Sequence, residues 1–135
     1  MLYITRREVF SACHRLHNPQ LSEEENELLF GKCNNFNGHG HNYILEVTVC
    51  GNPDPKSGYV LDLKDLKQII KKYITDKVDH KNLNLDVDFL SGIIPTTENL
   101  AIAFWNQIKD KTGRAKLYSI KIFETENNYI EYKGE

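Results

Sequence analysis

At 135 residues the chain suits one domain with its own core, expected to span residues 1–135. Its 40% hydrophobic and 27% charged residues exclude a disordered segment, and no apolar run is long enough to span a bilayer. A formal net charge of -2 offers no general field for nucleic acid, so an anionic substrate would need a local basic patch.

From Leu2 to Cys13 the residues alternate roughly apolar and polar, which predicts a strand that Asn18-Pro19 ends. Ser22 stands three residues before Glu25, the pattern of a capping box, so a short helix should follow with Leu28, Leu29 and Phe30 buried and Gly31 at its end. Residues 34–42 are rich in Asn and Gly and read as a loop. Tyr43, Leu45, Val47 and Val49 then alternate with polar neighbours, the clearest strand in the chain. After the turn at 51–55, residues 58–61 predict a third, short strand.

Asp62 is a helix cap for a segment in which Leu63, Leu66, Ile69, Ile70, Tyr73 and Ile74 recur at helical spacing. A polar stretch over 76–88 follows. Pro95-Thr96-Thr97 opens a second long helix whose inner face is Leu100, Ala101, Phe104 and Ile108. Residues 116–124 and 129–132 predict two more strands around an Asn127-Asn128 turn. Several strands with two helices inserted late, and no βαβ alternation, give an α+β domain: an antiparallel sheet with both helices on one face. The other face and the sheet edges call for cover, which oligomers commonly provide.

The three cysteines, Cys13, Cys33 and Cys50, are odd in number and form no CxxC pair, which points to free thiols. No apolar signal core lies between Met1 and Cys13, so a cytoplasmic setting is expected. His39 and His41 are two apart, so an extended backbone turns both the same way. With His14 at the end of the first strand they would make three imidazoles, the ligand set of an open zinc site, although any one histidine alone reads as an ordinary surface or core residue. Cys33 is a ligand, a thiolate base, or an inert thiol. Asp79-His80 can pass protons near neutrality or be a solvated turn. Glu98 suits the first turn of its helix, and Thr96 and Thr97 suit its cap. Glu124 follows the inward parity of Ile120 and Ile122, so it either leaves the core at the strand end or binds N–H donors.

The stretches Phe10-Ser11-Ala12-Cys13-His14-Arg15-Leu16-His17, Gly31-Lys32-Cys33-Asn34-Asn35-Phe36-Asn37-Gly38-His39-Gly40-His41-Asn42-Tyr43, Val78-Asp79-His80-Lys81-Asn82-Leu83, Thr96-Thr97-Glu98-Asn99-Leu100-Ala101 and Glu124-Thr125-Glu126-Asn127-Asn128 stand in order along the chain. Together with the Tyr132-Lys133-Gly134-Glu135 ending they closely resemble the 6-pyruvoyl tetrahydropterin synthase family. The resemblance implies the tunnelling fold, in which three sheets close into a barrel and two trimers form a homohexamer with active sites between subunits. It implies one Zn2+ per subunit on His14, His39 and His41, with Cys33 as general base and Asp79 and His80 as a proton relay. Glu124 would anchor the pterin ring, helped by Thr96, Thr97 and Glu98. The implied reaction converts 7,8-dihydroneopterin triphosphate into 6-pyruvoyl tetrahydropterin and triphosphate, in tetrahydrobiopterin biosynthesis, with Mg2+ accompanying the triphosphate.

Two other readings compete. A 6-carboxytetrahydropterin synthase of queuosine biosynthesis typically has its cysteine four residues before the histidine pair, whereas Cys33 and His39 are six apart. A non-catalytic zinc module or oligomeric binding protein would close the metal site with Cys33 and leave Glu124 and Asp79-His80 without roles, and an inactive pterin-binding relative would keep the pocket without turnover.

Overall fold

The computed structural model describes residues 1–135. The frame of the molecule is one long antiparallel pair. Strand β1 (Leu2–His14) runs against β2 (His39–Gly51), in register from Leu2 opposite Gly51 to His14 opposite His39. Alternation decides the faces: Phe10, Ala12, Tyr43, Leu45, Val47 and Val49 are buried on one side. On the other side Arg7 reaches Glu46 at 2.7 Å and Thr5 meets Thr48 at 2.7 Å, both exposed. Strand β4 (Lys116–Thr125) pairs with β2, and β5 (Asn128–Tyr132) folds back on β4.

The fifth strand alters the expected sheet. Strand β3 (Lys81–Asn82) lies parallel to β1, so the sheet is mixed, in the order β3-β1-β2-β4-β5. It falls in the stretch read as polar and loop-like, and two residues are too few to display alternation. Its place is set by the backbone of β1: the His80 N–H donates to the Ser11 carbonyl at 2.6 Å and the Leu83 N–H to the Cys13 carbonyl at 2.8 Å. A parallel neighbour needs a crossover, and the helical segment between β2 and β3 supplies it.

That segment begins with α2 (Leu63–Ile70), capped by the Asp62 carboxylate on the Lys64 N–H. It continues through a π-helical turn at Lys71–Thr75 into the short α3 (Asp76–Val78). Leu66, Ile70, Ile74 and Val78 are fully buried along it. Helix α4 (Thr97–Ile108) buries Leu100, Ala101, Phe104 and Ile108, the inner face predicted from the sequence. Both long helices cover the same sheet face and form one core with it. Phe10 stacks on Tyr43 at 4.7 Å between centroids and meets Phe104 edge-on at 5.8 Å.

Two expectations fail locally. Helix α1 (Glu23–Phe30) has the capping box at Ser22 and Glu25, but Leu28 is 88% exposed and Leu29 63%. Its one buried residue is Asn26, whose amide accepts from the Asn18 N–H and donates to the Asn18, Leu21 and Ser22 carbonyls. The helix is held by satisfying loop backbone rather than by apolar packing. Residues 58–61 form no strand. The Gly58 N–H bonds to the Asp54 carbonyl and the Asp54 N–H to the Tyr59 carbonyl, so local turns use the groups a ladder would need.

Candidate active site

The register of β1 and β2 assembles the three histidines. His14 stands opposite His39 and Ala12 opposite His41, so all three imidazoles share the inner face, in line with Phe10 and Tyr43. The rings are 4.6, 5.2 and 4.9 Å apart between centroids, and one nitrogen from each lies within 4.8 Å of the others. His14 is fully buried and its Nδ1–H donates to the Pro95 carbonyl at 2.8 Å. A carbonyl only accepts, so Nε2 carries a lone pair, and it faces His39 Nε2 at 3.1 Å. His41 Nε2 is buried without a hydrogen-bond partner.

Converging, underused ring nitrogens are costly unless something binds them. Three neutral imidazoles with an open fourth position fit a tetrahedral cation such as zinc. Burial holds the His14 and His41 pKa values below the usual imidazole range, against the pull of the Pro95 carbonyl on His14 and of Glu124 on His41. Both rings are therefore neutral and able to act as ligands near pH 7. The Tyr43 hydroxyl approaches His14 Nδ1 at 3.3 Å, and burial raises its pKa, so it stays a phenol.

Cys33 sits in a 3-10 turn, Gly31–Asn34, whose Cys33 carbonyl accepts from the Leu16 N–H at 2.8 Å. That bond ties the turn to the chain just beyond His14. The thiol is free and half-buried, and it is not among the clustered ligand atoms. A closed site of three imidazoles and one thiolate is not built here.

Glu124, Thr96, Thr97 and Glu98 come together as walls of one cavity of about 320 Å³, with Leu16, Phe30 and Ile130 as its apolar part. Thr96 caps α4 by accepting from the Asn99 N–H at 3.2 Å. Thr97 is not a cap: its hydroxyl donates to Glu124 Oε2 at 2.8 Å. The second carboxylate oxygen lies 3.6 Å from His41 Nε2. Glu124 thus links the cavity to the histidine cluster.

Asp79 and His80 pair with each other, at 3.0 Å between Oδ1 and Nδ1, on the outer edge of β1. The Ser11 N–H donates to Asp79 Oδ1 at 2.9 Å while the His80 N–H returns to the Ser11 carbonyl. The Ser11 N–H is the main reason that the Asp79 carboxyl is held below its usual pKa range; the His80 ring adds to it. His80 has a φ of 60°, uncommon for a side chain with a Cβ, and its ring is 81% exposed. His80 and His41 both line one open cavity of about 560 Å³.

This constellation agrees with the comparisons. The profile of the family described as 6-pyruvoyl tetrahydropterin synthase matches residues 3–135. The chain belongs to that family. It is 51% identical over 133 residues to the 6-pyruvoyl tetrahydrobiopterin synthase of Drosophila melanogaster, covering 98% of this chain and 79% of that protein. It is 48% identical over 132 residues to the human protein of the same name, covering 98% and 91%. The solved structure of Caenorhabditis elegans 6-pyruvoyl tetrahydropterin synthase superposes with a TM-score of 0.92 at 44% identity, over 99% of this chain and 96% of that one. As a member of this synthase family the chain is an enzyme.

Two contributors escaped the sequence reading. Tyr43 was legible in principle, since it follows His41 by two and so shares its face. The Pro95 carbonyl was not: it meets His14 across 81 residues through a main-chain atom that any residue could offer.

Proposed function

We propose that the chain converts 7,8-dihydroneopterin triphosphate into 6-pyruvoyl tetrahydropterin and triphosphate, a triphosphate elimination with internal redox rearrangement in tetrahydrobiopterin biosynthesis. The observation that carries this reading is the cluster of His14, His39 and His41, open on one side and joined through Glu124 to the cavity. The names of the relatives support the same substrate. His14, His39 and His41 would hold Zn2+, which when bound acts as a Lewis acid toward side-chain oxygens of the substrate.

The protein's own groups do the rest. Glu124, fixed by the Thr97 hydroxyl, accepts N–H donors of the pterin ring, with Thr96 and Glu98 at the cavity wall. Cys33 takes a proton from the side chain of the substrate as general base. Asp79 orients His80, which moves the remaining protons. Triphosphate leaves by elimination, which transfers no electrons, and the two-electron oxidation of the side chain is balanced by two-electron reduction of the ring, so no nicotinamide or flavin enters. Mg2+ accompanies the triphosphate. The single domain would work as a cytoplasmic homohexamer, its sheets joined into barrels as in the tunnelling fold, with active sites between subunits. The exposure of His80 supports this, because a relay on the outer edge of one chain can serve a neighbour.

The test is to incubate zinc-loaded protein with 7,8-dihydroneopterin triphosphate and magnesium and identify products by mass spectrometry, with Cys33→Ala alongside. Triphosphate and 6-pyruvoyl tetrahydropterin, largely lost in the variant, are expected. Acetaldehyde with a carboxylated pterin would place the chain in the queuosine branch instead. Bound zinc and pterin without turnover would overturn the enzymatic reading.

A further inference from the structure

An anionic triphosphate has to find a home on a chain whose formal charge is -2. One arginine stands out. Of the four, Arg6 pairs with Glu8 at 2.8 Å, Arg7 with Glu46 at 2.7 Å and Arg114 with Asp54 at 3.0 Å. Arg15 has no carboxylate partner. It is nevertheless held in place. Its Nε donates to the Asn34 carbonyl at 2.9 Å, and its guanidinium lies over the Phe36 ring at 5.3 Å. Its backbone is clamped from both sides by Asn84, which accepts from the Arg15 N–H at 2.7 Å and donates to the Arg15 carbonyl at 2.8 Å. The two terminal nitrogens of the fork are left without a protein acceptor.

Arg15 opens on a cavity of about 280 Å³ that also takes in His17, Asn37 and Asn82. His17 is oriented by a 2.8 Å bond from Nδ1 to Asn34 Oδ1. No carboxylate lines this cavity, whereas each of the four other large cavities has at least one in its wall. It also adjoins the histidine cluster along the chain: Arg15 follows His14, and Gly38 precedes His39. Gly38 has a φ of 75°, and a Cβ there would come within 2.9 Å of the His14 carbonyl oxygen, so this wall sits directly on the backbone of His14.

We infer that the Arg15 cavity binds a polyphosphate anion, and, resting on the function proposed above, that the anion is the triphosphate tail of the substrate. Arg15 gives the fork of donors that phosphate oxygens match, the Asn82 amide adds a further donor, and His17, whose Nδ1–H is held by Asn34 Oδ1, offers Nε2 to the anion as an imidazolium. The carboxylate-free wall spares the anion like-charge repulsion. Phe36 and Asn84 act as positioning residues for Arg15, saving the entropy of ordering a long side chain at the moment of binding.

The test is calorimetric titration of the zinc-loaded protein with magnesium tripolyphosphate, and separately with unphosphorylated 7,8-dihydroneopterin, for wild type, Arg15→Gln, Arg15→Lys and His17→Gln. Arg15→Gln is expected to weaken tripolyphosphate about tenfold to hundredfold while dihydroneopterin binds as in wild type. Arg15→Lys should recover part of the loss, because it keeps the charge without the fork. His17→Gln, on the other wall, should weaken tripolyphosphate more mildly and serves if Arg15→Gln fails to fold. In turnover, KM should rise with kcat nearly unchanged. Tripolyphosphate binding unchanged in Arg15→Gln, or in His17→Gln where only that variant folds, would overturn the inference, as would equal losses for both ligands. Wild-type protein that binds tripolyphosphate through Arg15 yet never turns over the triphosphate substrate would sink the proposed reaction and leave the anion site standing.

Discussion

The two histidine-bearing regions are built in opposite ways. The end of the β1–β2 ladder buries His14 completely, ties its Nδ1 to the Pro95 carbonyl, and sets three rings in one row by strand register alone. The edge of β1 at Ser11 instead holds Asp79 and His80 on two backbone hydrogen bonds, with the His80 ring 81% exposed. The first region is complete within one chain and shaped to stay neutral and ligate. The second has a charged carboxylate and a solvent-facing imidazole that shares an open cavity with His41. In the proposed function one fold would separate the holding of a metal from the movement of protons, with the first in the core and the second at an edge open to solvent.

The comparison can be broken most forcefully at the buried end. His39→Ala should abolish metal retention and reduce turnover beyond detection, roughly 10³-fold or more, read by metal analysis and product formation. Retained stoichiometric zinc in that variant would break the account of the row. Cys33→Ala should cost about 10²–10⁴-fold in kcat with zinc content unchanged, as loss of a general base rather than of a ligand. Asp79→Asn should cost about 10²-fold in kcat, again with zinc intact. It should also change the acid limb of stability. The folded Asp79 carboxyl lies below its ordinary range, so its contribution to stability is present above that range and disappears as pH falls through the depressed value. Thermal melts between neutral and acid pH should therefore fall less steeply for Asp79→Asn than for wild type.

The smallest effects sharpen the picture of α1. Asn26→Leu should destabilise the fold by about 1–3 kcal/mol, because the loop groups at Asn18, Leu21 and Ser22 lose a buried partner. Leu28→Ser should change stability by less than about 0.5 kcal/mol, since that side chain is almost wholly in solvent. Denaturant titrations of the isolated chain would rank the two.

Those two neighbours also mark the limit of what the sequence made legible. Alternation announced β1 and β2, helical spacing announced α2 and α4, and the caps at Ser22, Asp62 and Thr96 fell where the pattern of Ser, Asp and Thr placed them. Each signal is local and repeats within a window of residues. Strand β3 depends on the main chain of β1, far away in sequence, and the burial of Asn26 on loop backbone groups four to eight residues before it, neither of which a side-chain pattern encodes. The site divides in the same manner. The two-residue spacing of His39 and His41 predicts their shared face, but the arrival of His14 beside them needed the register of the ladder. Thr97 passed for a cap until its hydroxyl was found on Glu124.

The central claim is that three imidazoles hold the metal and leave Cys33 free for chemistry. X-ray absorption on the zinc-loaded protein tests it directly. The account predicts a first shell of three nitrogen donors and one oxygen at about 2.0–2.1 Å with no sulfur. A sulfur scatterer at about 2.3 Å, lost in Cys33→Ala, would make the site closed and structural and would contradict the account.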